Sequence, residues 1–254
     1  MMKKPGGAKA RSAAPESSGR TAFRWMKAGG PHISAVLLAA GSSSRFGGVK
    51  QLALIDGKTT LVGRAVAMLK RSKVESIVVV LGNRSEEVRE RMCKLGTGVR
   101  VVANEEFRSG LSSSLKAGLM ASPEDSDAIV VALADQPLVT SELIDEIVSR
   151  YLETGCPVVT ASSGDLVSPP VLLDRSLYGD LLALEGDVGA RQIILKHAPF
   201  ERVEVERDAL LDVDTQADIQ RAREKLALLR GSPRTRSRRS PAVRARGRAR
   251  PSSG

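Results

Sequence analysis

Between residues 32 and 229 the chain alternates between two hydrophobic periods. Five short runs are apolar at consecutive positions: 33–39 (ISAVLLA), 75–81 (ESIVVVL), 99–103 (VRVVA), 127–134 (DAIVVALA) and 157–161 (PVVTA). A strand that is apolar on both faces is covered on both faces, as the strands of a buried parallel sheet are. Amphipathic stretches with helical spacing lie between the runs, at 59–71, 84–95, 111–121 and 141–154. This β-then-α alternation predicts right-handed crossovers and an α/β fold built on a doubly wound, mostly parallel sheet.

After about residue 161 the pattern loosens. SPPVLL (168–173) predicts a short strand, 175–184 and 188–197 read as helices, 201–206 (ERVEVE) alternates like a half-exposed strand, and 215–229 forms a closing helix. No internal repeat occurs at solenoid spacing.

Composition changes this picture only at the ends. Of 254 residues 42% are apolar and 3% aromatic, so aliphatic side chains must fill the core. The net charge of +10 is uneven. Residues 1–31 carry seven Lys/Arg against Glu16, and residues 230–254 carry nine Arg and no acid, which leaves 32–229 at −5. Both ends are rich in Ser, Pro, Gly and Ala and lack apolar periodicity, so burial cannot offset the entropy of ordering them. They are expected to be disordered tails around one domain, 32–229. A start assigned upstream of Met26 would account for residues 1–25. The Arg-rich end reads as a solubilising tail with nonspecific charge, so no specific nucleic-acid partner is expected. Cys93 and Cys156 form no CxxC pattern, which suits a reducing cytoplasm. No apolar run reaches membrane-spanning length, and no apolar segment before Ile33 resembles a secretory signal.

In open parallel sheets ligands bind at the carboxyl ends of strands. The first strand leads into Leu38-Ala39-Ala40-Gly41-Ser42-Ser43-Ser44-Arg45-Phe46-Gly47-Gly48-Val49-Lys50. Small residues let the backbone approach a phosphate, and Arg45 and Lys50 add positive charge. The same composition also describes a βα loop whose cations are merely solvated. The loop is neither a Walker A sequence, since Phe46 stands where the second glycine belongs, nor a GxGxxG fingerprint.

Three further elements carry candidate chemistry. Asp135 follows the 127–134 strand, ahead of Gln136-Pro137. It is either a turn former or a carboxylate placed to hold Mg²⁺ against a phosphate. In Asp212-Val213-Asp214-Thr215 alternation puts both carboxylates on one face, with Val213 opposite, where they repel unless a cation lies between them. Thr215 with Asp218 approximates a capping box. Ser112, Ser113 and Ser114 open the 111–121 helix, where capping needs only one of them. Asp187, in Gly186-Asp187-Val188-Gly189-Ala190-Arg191, is a possible N-cap for the helix that follows.

Taken as whole strings, these segments are more specific. LAAGSSSRFGGVK resembles the LAxGxSxRMGxxK signature of nucleotidyltransferases that activate small phosphorylated metabolites. GLSSSLKAG, LADQPLV, GDVGAR and DVDTQAD are similar, in that order along the chain, to elements of the molybdenum-cofactor cytidylyltransferases. DVDTQAD departs from D-x-D-T-P-E-D by Gln-Ala for Pro-Glu. The resemblance spans about residues 33–225 and implies a Rossmann-like nucleotidyltransferase fold.

It further implies a reaction: transfer of CMP from CTP to Mo-molybdopterin, giving the cytosine dinucleotide and pyrophosphate, with Mg²⁺ as cofactor. Carried over by position, Arg45, Lys50 and Asp135 are catalytic. Leu38, Ala39, Ala40, Gly41, Ser42, Gly82, Ser112 and Ser113 join Arg45, Lys50 and Asp135 in nucleotide binding. Asp135 and Asp212, with Asp214 as second choice, hold the metal. Gln136, Pro137, Asp187 and Arg191 border the acceptor. A molybdoenzyme of the xanthine oxidase type is the implied partner. GTP-using relatives carry LAGG, so Ala40 marks CTP. The alternatives are transfer from GTP or to another phosphorylated acceptor, a non-catalytic molybdenum-cofactor carrier, and a related flavin- or nicotinamide-dependent reductase.

Overall fold

The computed structural model describes residues 30–41, 46–94 and 98–231. The expectations for most of both tails, and for Ser42 and Arg45, fall outside these residues. The predicted strands appear as β1 (Ile33–Ala39), β2 (Ser76–Leu81), β3 (Arg100–Ala103), β4 (Ala128–Leu133), β5 (Val158–Ser163), β6 (Leu166–Asp174) and β7 (Glu201–Glu204). The helices are α1 (Leu61–Leu69), α2 (Ser85–Lys94), α3 (Leu111–Ala121), α4 (Ser141–Thr154), α5 (Tyr178–Leu182), α6 (Ala190–Lys196) and α7 (Gln216–Gly231).

Local chemistry sets several of these boundaries. The hydroxyl of Thr60 accepts from Gly63 N at the start of α1, and that of Thr140 accepts from Leu143 N at the start of α4. Each satisfies one amide that the first helical turn leaves open. The predicted 175–184 helix is instead a 3₁₀ turn, Arg175–Leu177, followed by the short α5.

Among the described residues the strands form one seven-stranded sheet in the order β3-β2-β1-β4-β6-β5-β7. Every neighbouring pair is parallel except those of β6, which runs antiparallel to both β4 and β5. The sequence marked this strand as 168–173. It is longer because it forms a hairpin with β5 and pairs along Ala128–Val131 of β4.

Side chains of β1 alternate between two apolar layers. Ala35, Leu37 and Ala39 pack with residues of α1, α2 and α4, whereas Val36 and Leu38 pack with residues of α3, α5 and α6. This two-sided burial is the physical basis of the unbroken apolar runs. A third cluster joins Phe46, Leu61, Leu138 and Val213 to Ile219, Ala222 and Leu226 of α7. It anchors the far end of the loop after β1 and the segment carrying Asp212 and Asp214 in one place.

Candidate functional site

The chain moves outward from β1 to β3 and then returns to place β4 on the other side of β1. At such a reversal the connections leaving two adjacent strands diverge and open a crevice. A cavity of about 670 Å³ lies there, lined by Leu38, Ala40, Gly41, Leu133 and Asp135, by the segment 107–111 with Ser114, and by Asp187, Asp212 and Asp214.

Lys50 opens a 3₁₀ turn and is only 8% exposed. Its ammonium donates to Asp135 Oδ2 at 2.8 Å and to Asp214 Oδ1 at 3.0 Å. Burial alone would depress the Lys50 pKa, but the two carboxylates outweigh it and hold the pKa above its ordinary value. The adjacent Gln51 is also buried, and its Nε2 donates to the carbonyls of Ala39 at 2.9 Å and Gly41 at 3.1 Å. The chain is leaving the sheet at these carbonyls, and the amide supplies a partner there.

Asp214 and Asp212 reach the cavity through backbone pairing. Val213 N donates to Asp135 O at 2.9 Å, and Val213 itself is fully buried. The two aspartates therefore share a face, as alternation predicts. Thr215 and Asp218 form the capping box: Asp218 Oδ2 accepts from Thr215 N and Oγ1, both at 2.8 Å, and Asp218 N donates to Thr215 Oγ1 at 3.3 Å. Burial raises the Asp212 pKa to about 6, and the charges of Asp135 and Asp214 add to the rise. A hydrogen bond from Gln136 and the charge of Lys50 oppose it.

Oxygen donors concentrated in this way suit a hard divalent cation. Burial is the main reason the Asp212 pKa is raised, with the charges of Asp135 and Asp214 adding to it. By donor chemistry Asp135, Asp212 and Asp214 thus fit Mg²⁺. They do not form a preassembled cage: among the described residues no three His, Cys, Asp or Glu side chains converge on a common metal position. Lys50 stands between Asp135 and Asp214 instead.

The other predicted residues divide. Leu38, Ala40 and Gly41 line the cavity, whereas the Ala39 side chain lies in the core on the opposite face. Gly82 sits behind Ala40: a Cβ at Gly82 would lie 2.5 Å from Ala40 O, 2.9 Å from Ala40 Cβ and 2.8 Å from Phe107 Cβ. It supports the wall without lining it.

Ser112 and Ser113 are engaged by the protein. Ser112 Oγ donates to Gly186 O at 2.7 Å, and the Ser113 hydroxyl lies 2.9 Å from Glu106 O and 2.8 Å from Gly110 O. Ser114 is engaged too: it is buried and its Oγ accepts from Asn104 Nδ2 at 3.0 Å, although the residue also borders the cavity. Asp187 also lines the cavity, but it caps α3, accepting from Leu111 N at 3.3 Å, and Gly189 occupies the N-cap of α6. Gln136 is buried, with Nε2 donating to Ser168 Oγ at 3.1 Å. The buried Pro137 accepts from Arg64 Nε, and Arg191 is exposed away from the cavity lining.

Sequence reasoning missed Gln51, Phe107, Arg108 and Ser109. The last three form a single 3₁₀ turn, too short to show any period, yet Phe107 and Arg108 reach the cavity with the Arg108 guanidinium 5.6 Å from the Phe107 ring centre. The Phe-Arg-Ser run ahead of Gly110 was the available signal.

Residues 35–202 match the MobA-like NTP transferase domain. A relative from Paenarthrobacter nicotinovorans named nicotine blue oxidoreductase is 33% identical over 181 residues, covering 67% of this chain and 84% of its own. A probable molybdenum cofactor guanylyltransferase from Thermococcus kodakarensis is 30% identical over 196 residues, covering 73% of this chain and 91% of its own. Among solved structures, Rv0371c from Mycobacterium tuberculosis H37Rv superposes with a TM-score of 0.68 at 29% identity, over 76% of this chain and 98% of that one. The same protein in complex with manganese gives a TM-score of 0.63. The matched segment runs from β1 into β7 and contains the crevice with Lys50 and Asp135, and the chain belongs to the MobA-like NTP transferase domain family, as a nucleotidyltransferase.

Proposed function

We propose that the chain transfers CMP from CTP to the terminal phosphate of Mo-molybdopterin, releasing pyrophosphate. The observation that carries this reading is the placement of Lys50, Asp135 and the 212–214 segment together at the crevice between β1 and β4. Nucleotidyl transfer to the molybdenum cofactor is supported by a relative, matched over most of its length, that is named a probable molybdenum cofactor guanylyltransferase, a name that gives guanine as the base. Choice of CTP rests on Ala40, whose methyl packs against Gly82 at the cavity wall where GTP-using relatives carry a second glycine.

An acceptor phosphate is ionised near neutral pH, so the reaction needs alignment and charge neutralisation more than a general base. In this reading Gly41, Ser42 and Arg45 wrap the triphosphate and Lys50 neutralises its oxygens. The in-line attack forms the bond from acceptor oxygen to α-phosphorus as the bond to pyrophosphate breaks. Asp135 and Asp212 would hold Mg²⁺, which when bound screens phosphate charge and orients the leaving group. Ala40, with Gly82 and Phe107 behind it, shapes the base wall. The acceptor lies toward Asp187, and residues 32–229 act as one catalytic domain.

Pyrophosphate release measured with each nucleoside triphosphate and Mo-molybdopterin tests this directly. CTP should support turnover; release with GTP and not CTP overturns the base assignment. The relative named nicotine blue oxidoreductase supports a second reading, a flavin- or nicotinamide-dependent reductase on the same scaffold. Absorbance of the purified protein at flavin wavelengths, or oxidation of a reduced nicotinamide, would favour it.

A further inference from the structure

Lys50 makes two ion pairs with carboxylates that belong to the proposed metal and triphosphate site. Its Nζ lies 2.8 Å from Asp135 and 3.0 Å from Asp214, and its side chain is 10% exposed. The ammonium itself fills the space between the two carboxylates, and among the described residues no three His, Cys, Asp or Glu side chains converge on a common metal position. The carboxylates are set at the spacing of a lysine bridge. Asp214 differs from Asp212 here: it bonds to the ammonium, whereas Asp212 receives its hydrogen bond from Gln136.

We infer that Asp214 is a positioning residue for Lys50, and that Lys50 bridged between Asp135 and Asp214 stands in for the divalent cation, so that metal and triphosphate enter together. The inference rests on the nucleotidyl-transfer reading and deepens it. A buried ammonium leaves two carboxylates only if another anion receives it, and the carboxylates part with it only if another cation replaces it. A triphosphate is the first and a divalent cation the second. Each ligand therefore removes the obstacle to the other, and the coupling is reciprocal. The device protects Asp135 from metal binding without nucleotide.

Mn²⁺ binding to the full chain, read by electron paramagnetic resonance without nucleotide, tests this apart from turnover. Lys50→Met should bind Mn²⁺ at least tenfold more tightly than wild type. Arg108→Met removes another cavity-lining cation, the one beside the Phe107 ring, and should leave the affinity within twofold. In an Asp214→Asn background, which unfastens one end of the bridge, the Lys50→Met gain should fall below threefold. Equal gains from Lys50→Met and Arg108→Met, or an undiminished gain in Asp214→Asn, would show a bulk charge effect and overturn the proposal. A non-hydrolysable CTP analogue should tighten Mn²⁺ binding to wild type at least tenfold. If it does not while Lys50→Met still does, the bridge stands, and its coupling to a triphosphate falls together with the nucleotide reading.

Discussion

Val213 N donates to Asp135 O at 2.9 Å, joining the residue just beyond β4 to a segment 78 positions later in the chain. This bond, with burial of the Val213 side chain between α7 and Leu138, brings Asp212 and Asp214 to the cavity. Val213→Ala should cost about 2 kcal/mol by leaving a cavity in that cluster and should weaken activity with it. Asp135→Asn should reduce kcat/KM at least a thousandfold while the chain still folds, with a shifted melting temperature because Lys50 loses one partner. Near-normal activity in Asp135→Asn would refute its assignment as the metal carboxylate.

The Asp212 pKa gives a pH signature that needs no substrate. Its folded value, about 6, lies above the ordinary 3.8, so the folded state takes up its proton first as pH falls. Its ionisation therefore destabilises the metal-free fold fully above about pH 6, and the penalty is relieved between 6 and about 4. In EDTA, Asp212→Asn should melt above wild type at pH 7.5, with the difference closing toward pH 4. Calorimetry across that range checks it; a constant difference would exclude Asp212 as the cause.

Gly82 is a test of the wall behind Ala40. Gly82→Ala forces a methyl to 2.5 Å from a backbone oxygen, which a flexible side chain cannot relieve. A loss of about 1–3 kcal/mol is expected, with impaired nucleotide binding. Adding Ala40→Gly removes the Cβ contact but not the carbonyl, so stability should recover only in part. Thermal unfolding of the single and double variants measures this.

The three serines of α3 should separate by role. Ser114→Ala should raise the KM for the nucleoside triphosphate more than Ser113→Ala does, because Ser114 borders the cavity and its bond to Asn104 Nδ2 shapes that wall. Ser112→Ala loses the bond to Gly186 O and should cost about 1 kcal/mol of stability. Steady-state kinetics with parallel melts distinguishes the three.

The parallel strands were legible because burial on both faces writes unbroken apolar runs such as IVVVL and AIVVAL. The direction of β6 was not, since pairing with β4 and β5 is decided by partners distant in sequence, and Pro169-Pro170 reads locally as punctuation. Asp135 and Asp212 could be named because strand ends and alternation constrain where such residues point, and Lys50 because it is a cation in the small-residue loop that leaves the first strand. The contact of Lys50 with Asp135 and Asp214 could not, because 85 and 164 residues separate the partners. Which of Ser112, Ser113 and Ser114 borders the cavity turns on helix phase, which a run of three identical residues hides.

The approach of α3 to residues 186–189 bears on how specificity can be re-engineered. Gly110, at φ +110°, lies so close that a Cβ would stand 2.3 Å from Gly186 O, and a Cβ at Gly189 would meet the Leu111 side chain at 2.5 Å. The segment read as facing the nucleotide and the segment read as facing the acceptor are thus two halves of one joint. Chimeras that import either half alone from a relative lacking glycine at 110 or 189 should clash at this joint, so the two segments are best exchanged together.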